Sequence, residues 1–322
     1  MGAKLRVYRS RIRSVQSTKK ITKAQELIAA SRIAKAHARM AAARPYADEL
    51  TRALAALGKN ASLQHPMLTG VESPQRTGVL VVTSDRGLAG GYNANALKKA
   101  NELAKRLEGE GKQVVLYVVG RKGVAYYRFR HVAISGSWTG FSEQPNFGDA
   151  RAATEAIVAA LTATSANESG GEAGIDELYV VYTRFQNSVT QIPAPVLVSP
   201  ANGTGGDDEA GAAAAAVGGP ADEDAEQGPQ PSYEFEPEPE KLIAALLPRY
   251  VSARIFSALL ESAASESAAR RRAMKSASDN ATDLIKTYTR LASQARQAEI
   301  TQEISEIVGG ADALAAAGSD ER

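Results

Sequence analysis

Apolar residues near the N-terminus fall at Leu5, Tyr8, Ile12 and Val15, and near the C-terminus at Ala281, Leu284, Tyr288, Leu291 and Ala295. Both runs alternate steps of three and four, the seam spacing of a coiled coil. Residues 3–44 contain no Gly or Pro, and residues 249–308 run sixty positions without either. As a single helix the second stretch would reach about 90 Å, and the first, continued past Pro45 to Leu57, about 80 Å. Helices of a globular core average only about 11–12 residues. Ala and Ser crowd the same stretches, "LIAASRIAKAHARMAAA" and "ESAASESAARRRAMKSAS". Small seam residues let two helices approach closely, so the expectation is a slender rod with little core of its own. Neither repeat is perfect. Lys19 and Thr22 interrupt the first, and the second shifts at Ile300, Ile304 and Ile307.

Between the two helical ends the period changes. Gly78–Ser84, Gln113–Val119, Leu178–Phe185 and Ser188–Val198 read as strands; Asn93–Glu108, Arg121–Arg130 and Phe147–Ala163 read as helices. Strands alternating with helices predict a mostly parallel sheet covered on both faces. The fold class is therefore α/β: a long antiparallel coiled coil of N- and C-terminal helices with an inserted Rossmann-like α/β domain. The expected boundaries are a coiled-coil helix over 1–58, the α/β domain over 76–200, an acidic loop over 201–236, and a C-terminal helix over 240–315. The lower part of that last helix belongs on the α/β domain and its upper part in the coiled coil.

Charge sharpens the division. The formal net charge of +2 over 322 residues conceals two extremes. Glu26 is the sole acid among twelve Lys and Arg in residues 3–44, whereas residues 201–240 hold eleven Asp and Glu and no base. That acidic run is rich in Gly, Pro and Ala, cannot bury enough apolar surface to offset its ordering entropy, and is expected to be disordered. A shorter polar break, "SANESGGEAG" (165–174), predicts a turn or small insertion. At 44% hydrophobic the chain can build a core. No unbroken run of about 18 apolar residues marks a membrane span. The N-terminus lacks the apolar stretch and cleavage site of a secretory signal. With no cysteine, disulfides and thiolate sites are excluded, which fits a reducing compartment.

The candidate chemistry centres on "GVLVVTSDRGLAGGYN" (78–93), which has the strand–loop–helix grammar of a nucleotide site. A P-loop needs G-x-x-x-x-G-K-[ST] and a dinucleotide fingerprint G-x-G-x-x-G. This loop offers neither, nor does "VVGRKG" (118–123). Glycines here need only permit tight turns. His37, His65 and His131 lack metal-ligand spacing, and no hydrolase or zinc-protease motif appears. No catalytic, cofactor-binding or metal residue is expected. Arg6, Arg9, Arg11, Arg13, Lys19, Lys20 and Lys23 could meet phosphates. They lie all round their helix, however, without aromatic residues to stack on bases. A rod turning in an acidic protein collar would look the same. Rod, nucleic-acid binder and nucleotide-dependent enzyme all remain open on these grounds.

The segments "IRSVQSTKKITKAQELIAASRIAKA" (12–36), "TSDRGLAGGYN" (83–93), "ESAASESAARRRAMKSASDNA" (261–281) and "RQAEITQEISEIVGGADAL" (296–314) resemble the gamma subunit of bacterial F-type ATP synthases. The similarity covers nearly the whole chain. It implies a central-stalk rotor without an active site or cofactor of its own. The terminal helices would turn inside a ring of alpha and beta subunits, with the α/β domain near the epsilon subunit and the c-ring. Ion flow, of protons or sodium, would drive the beta subunits through their catalytic conformations in ATP synthesis and hydrolysis. The resemblance further implies no nucleic-acid partner and a peripheral place on the cytoplasmic face of the cell membrane. Its motif places Arg296, Gln297, Thr301 and Glu303 against catch loops of a beta subunit. Lys19, Lys20 and Lys23, with Arg270, Arg271 and Arg272, would face acidic lever segments of beta. Gln25 stands where the family commonly has Met, and the acidic loop is much longer than the usual family loop.

Overall fold

The computed structural model describes residues 3–60, 65–163, 174–201 and 239–319. The break expected over 165–174 and the acidic loop expected over 201–236 lie, apart from Gly174 and Ala201, outside the described residues. In chain order the elements are α1 (Ala3–Asn60), α2 (Pro66–Thr69), β1 (Arg76–Val82), α3 (Tyr92–Gly109), β2 (Gln113–Val119) and α4 (Arg121–Phe129). β3 (Gly136–Trp138), α5 (Phe147–Thr162), β4 (Glu177–Phe185), β5 (Gln191–Ser199) and α6 (Pro239–Ser319) complete them. Two compact units result, residues 1–28 with 272–322, and residues 29–271.

The larger unit is built on a five-stranded sheet ordered β3-β2-β1-β4-β5. β1 pairs in parallel with β2 and β4, and β2 with β3. Only β5 runs antiparallel, against β4. It carries Pro193 and Pro195, which an edge strand tolerates because its outer amides have no ladder to feed. β3 was not foreseen, since three residues without an apolar run leave no periodic signal. One core forms where α5 (Ile157, Leu161), α6 (Ile243, Leu247, Val251, Ile255, Leu259) and the end of α1 (Leu54, Leu57) pack together with β1, β2, β4 and β5. A second holds Leu97, Leu103 and Leu107 of α3 and Val124 and Tyr127 of α4 against Val79, Val81, Leu116, Val118 and Val181.

Residues 258–270 of α6 are buried at every position, not on one stripe. A helix enclosed on all sides is helped by a majority of side chains as small as Ala and Ser, and this explains "ESAASESAAR" better than the slender seam expected for it. An 18-residue window of α6 reaches a mean hydropathy of 1.4. Its apolar residues are interrupted by Ser and Glu, so no unbroken apolar run marks it in the sequence.

In the smaller unit the helices run antiparallel. Tyr8 meets Tyr288 with ring centroids 6.4 Å apart, and Lys275 lies within electrostatic reach of Glu26. The least exposed positions of α1 are 5, 8, 12, 15, 19, 22 and 26, and the same alternation continues unbroken through 29, 33, 36, 40, 43, 47, 50, 54 and 57. The repeat is thus not interrupted at Lys19 and Thr22. The Thr22 hydroxyl donates to the Lys19 carbonyl at 3.0 Å, so it enters the seam already satisfied, and the Lys19 stem can lie along the seam with its ammonium at the edge. On α6 the seam follows 274, 278, 281, 285, 288, 292, 295 and 299. Ile285 takes the place expected for Leu284, which is 46% exposed.

Candidate functional site

The nucleotide-like loops lie at the carboxyl ends of β1 and β2. Asp85, three residues beyond β1, accepts hydrogen bonds from the amides of Gly140 (2.8 Å), Ser142 (3.0 Å) and Arg121 (3.1 Å). Arg121 opens α4, so the helix N-terminus that would attract a phosphate already holds the chain's own carboxylate. Burial pushes the Asp85 carboxyl up, but those amides outweigh it and hold the group below the ordinary carboxylate range. Gly120 has φ +97°, and a Cβ there would stand 2.2 Å from the Thr83 carbonyl oxygen. A Cβ on Gly123 would stand 2.7 Å from Thr83 Oγ1. At these two glycines the strand end and helix start touch, leaving no room for a ligand between them. Asn93 likewise turns its side-chain oxygen inward to accept from the Ser84 amide at 2.9 Å. The nucleotide-like grammar is used for packing.

Beside Asp85 lies a buried ion cluster within the larger unit. Arg270 of α6 reaches Glu266 Oε1 at 2.6 Å and Glu143 Oε1 at 3.2 Å. Arg32 of α1 pairs with Glu143, and Arg86 stands 3.7 Å from it. Burial raises the Glu266 carboxyl to about 7, opposed by Arg270 and reinforced by Glu143. Tyr92 shares the site, its hydroxyl 2.8 Å from Ser262 Oγ; burial and then Glu266 push it up. These contacts tie α1, two loops and α6 together. Arg270 was expected to face a partner beside Arg271 and Arg272, and it is buried instead; Arg271 and Arg272 are exposed. Asp85, Glu143 and Arg32 are not legible in the sequence because their partners are more than thirty residues away. Glu266 and Arg270, an i,i+4 pair in an Ala/Ser helix, carried a readable signal.

The residues singled out on the rod occupy two levels of the smaller unit. Lys20 and Lys23 are exposed and Lys19 is half-buried toward the seam. Lys23 pairs with Glu26 at 3.1 Å. Arg296, Gln297, Thr301 and Glu303 are all exposed, and the Thr301 hydroxyl donates to the Gln297 carbonyl at 2.9 Å. Lys275, level with Glu26, and Arg296 are separated along α6 by about 30 Å, so the structure keeps the two groups apart. Tyr8 is only a few residues from the start of α1, and beyond Tyr288 the partner helix soon ends; residues 300–311 of α6 are exposed throughout. Along this tip Ile300, Ile304, Ile307 and Val308 form an exposed apolar stripe, at 46%, 56%, 71% and 54%. Among the basic residues of α1, Arg11 lies over the Tyr288 ring, 5.7 Å from its centroid. The histidines serve elsewhere: His37 packs edge-on against Phe185, the His65 Nδ1 accepts from the Met67 amide, and His131 takes a left-handed turn conformation at φ 57°.

A family model described as ATP synthase matches residues 4–314. The ATP synthase gamma chain of Frankia casuarinae is 56% identical over 315 residues, covering 98% of this chain and 99% of that one. The ATP synthase gamma chain of Salinispora tropica is 52% identical over 325 residues, covering 99% and 100%. Among solved structures, a chain of the Euglena gracilis mitochondrial ATP synthase (OSCP, F1 and c-ring, rotational state 3) aligns with a TM-score of 0.64 at 17% identity. That alignment covers 98% of this chain and 95% of the other, a likeness of fold.

Proposed function

The chain belongs to the ATP synthase gamma chain family, and from that membership we propose that it is the non-catalytic central-stalk rotor of a proton-translocating F-type ATP synthase. It couples rotation of the c-ring to the conformational cycle of the beta subunits, in ATP synthesis and in hydrolysis. Its partners are the alpha and beta subunits around the rod and the epsilon subunit and c-ring at the α/β domain. It is peripheral to the membrane through the complex, on the cytoplasmic face. Nucleotides and catalytic groups belong to the neighbours.

One observation carries this reading. Residues 300–311 of α6 are exposed on every side, yet keep the apolar stripe Ile300, Ile304, Ile307 and Val308. A helix exposed all round with apolar residues on it is built to be surrounded by other chains. In this reading Arg296, Gln297, Thr301 and Glu303 meet the beta subunits near the tip, and Lys20 and Lys23 meet acidic segments of beta one level down. Lys19 works mainly in the seam, with its ammonium within reach of the same segments.

The energetics suit rotation. Moving one charge through 100 mV yields about 2.3 kcal/mol, whereas exposed ion pairs are worth roughly 0–1 kcal/mol each. Such contacts can break and remake at every step. The test is to assemble the chain with purified alpha and beta subunits, label its α/β domain, and watch single complexes during ATP hydrolysis. Unidirectional rotation of the label is expected. ATP turnover by the chain alone, or hydrolysis with the label fixed relative to beta, would overturn the proposal.

A further inference from the structure

The carboxyl ends of the parallel strands hold a helix where a sheet of this kind ordinarily holds a ligand. In open α/β sheets the ligand crevice lies beyond the strand ends, at the point where the strand order reverses. The order β3-β2-β1-β4-β5 places that point between β1 and β4. Here α6 fills it. The hydroxyl of Tyr92, at the start of α3, stands 2.8 Å from Ser262 Oγ. The amide of Phe185, at the end of β4, donates to Glu261 Oε1 at 2.9 Å. The Arg270 guanidinium donates to the carbonyls of Arg86 and Gly87, each at 3.3 Å.

Eight of the thirteen residues 258–270 are Ala or Ser. Contacts of such short side chains bury the helix, but apolar contact is non-directional and does not fix an angle of rotation. Charged hydrogen bonds are directional. One carboxylate offers them to both long helices. Glu143, in the loop between β3 and α5, faces Arg270 of α6 at 3.2 Å, Arg32 of α1, and Arg86 at 3.7 Å. Its side chain is 14% exposed, so these pairs are largely desolvated. The loop that carries it is itself held: Asp85 accepts from the Gly140 and Ser142 amides, and the Ser142 hydroxyl accepts from the Asp85 amide at 2.8 Å. Arg32 is the fourth residue of the larger unit on α1, and Arg270 is its last but one on α6. Beyond them both helices continue into the smaller unit.

We propose that Glu143 is the positioning residue that fixes α1 and α6 in rotation against the α/β domain, with Arg32 and Arg270 as its two handles. The proposal rests on the rotor reading above, in which torque passing between that domain and the rod loads these contacts. An exposed ion pair is too weak to hold under load, whereas a desolvated one is costly to open.

The test uses the chain assembled with alpha and beta subunits, a rotating probe on the α/β domain, and ATP low enough to resolve each pause. The angular variance of the probe within a pause is inversely proportional to the torsional stiffness between probe and stator. Glu143→Gln keeps the side-chain shape, removes the charge, and is expected to raise that variance at least about 1.5-fold. Glu177→Gln is the control. It breaks a pair of similar burial, with Lys112 at 3.0 Å, at the amino end of β4, and leaves the variance unchanged. Only rotating complexes are scored, so a loss of stability lowers their number and not their stiffness. If Glu143→Gln yields none, Arg32→Gln is measured in its place, with the same rise expected. That variant leaves Arg270 paired with Glu143 and Glu266. A variance equal to that of the wild type, or an equal rise with Glu177→Gln, overturns the proposal. A probe that fails to rotate on the wild-type complex overturns the rotor reading, and this one with it.

Discussion

Glu266 and Arg270 stand one turn apart on α6, joined at 2.6 Å with side chains only 1% and 5% exposed. A buried ion pair contributes little net stability over an apolar equivalent, but breaking one by removing a single partner leaves an uncompensated charge and costs about 3–5 kcal/mol. Arg270 serves two carboxylates, Glu266 and Glu143; its loss strands Glu266, while Glu143 keeps Arg32. Arg270→Leu is therefore expected to destabilise the chain by about 4 kcal/mol in denaturant titrations. Adding Glu266→Gln should recover part of that loss. A loss under about 1 kcal/mol for Arg270→Leu would refute the buried pairing.

The same cluster predicts a pH dependence. Glu266 is faced by Arg270 on its own helix, by Glu143 and Ser142 from the loop after β3, and by Tyr92 from α3. Its carboxyl titrates near 7 in the folded chain instead of 4.5. The folded state therefore binds more protons than the unfolded one across that interval. Its contribution is fully present below about 4.5 and is lost as pH rises through about 7, by up to about 3 kcal/mol. Glu266→Gln should flatten the stability profile between these values. An unchanged slope would show that the group stays ionised throughout.

Gly120 separates the packing role of the glycine loops from a ligand role. Its φ is +97°, and a Cβ at this position would come within 2.2 Å of the Thr83 carbonyl oxygen, which leaves no room for a side chain. Gly120→Ala is expected to cost more than about 2 kcal/mol through backbone strain and displacement of α4. At Gly87 a Cβ would meet only Lys122 Cε at 3.6 Å, an ordinary contact. Gly87→Ala should change stability by less than about 0.5 kcal/mol. Equal melting temperatures for the two variants would contradict the geometry.

These contrasts show what the sequence could carry. The three-four spacing of Leu5, Tyr8, Ile12 and Val15 is local and survives intact, as do the strands of alternating β and α segments. The choice between Leu284 and Ile285 is not local. Adjacent apolar residues fit either register, and only the partner helix selects Ile285. Asp85 capping α4, and Glu143 joining Arg32 to Arg270, depend on long-range folding that no spacing rule encodes. "ESAASESAAR" was legible as a small-residue stretch, but a stretch enclosed on all sides and one in a two-helix seam favour the same residues.

Thr301 and Arg296 offer the sharpest division of labour on the rod surface. The Thr301 hydroxyl donates to the Gln297 carbonyl at 2.9 Å. That internal bond occupies its proton and is a common use of threonine within a helix. Arg296 is exposed, with five donors suited to carboxylates. If beta subunits grip this level mainly through charge, Thr301→Val should change ATP hydrolysis by the assembled complex by less than about twofold. Arg296→Ala should slow it by up to about fivefold, the equivalent of roughly 1 kcal/mol. Because the contact is between exposed charges, the Arg296→Ala defect should shrink as salt is raised and the pair is screened even in the wild-type complex. Steady-state hydrolysis assays across an ionic-strength series measure all three effects. A larger defect from Thr301→Val than from Arg296→Ala would mean that the hydroxyl leaves its helix and bonds the stator directly.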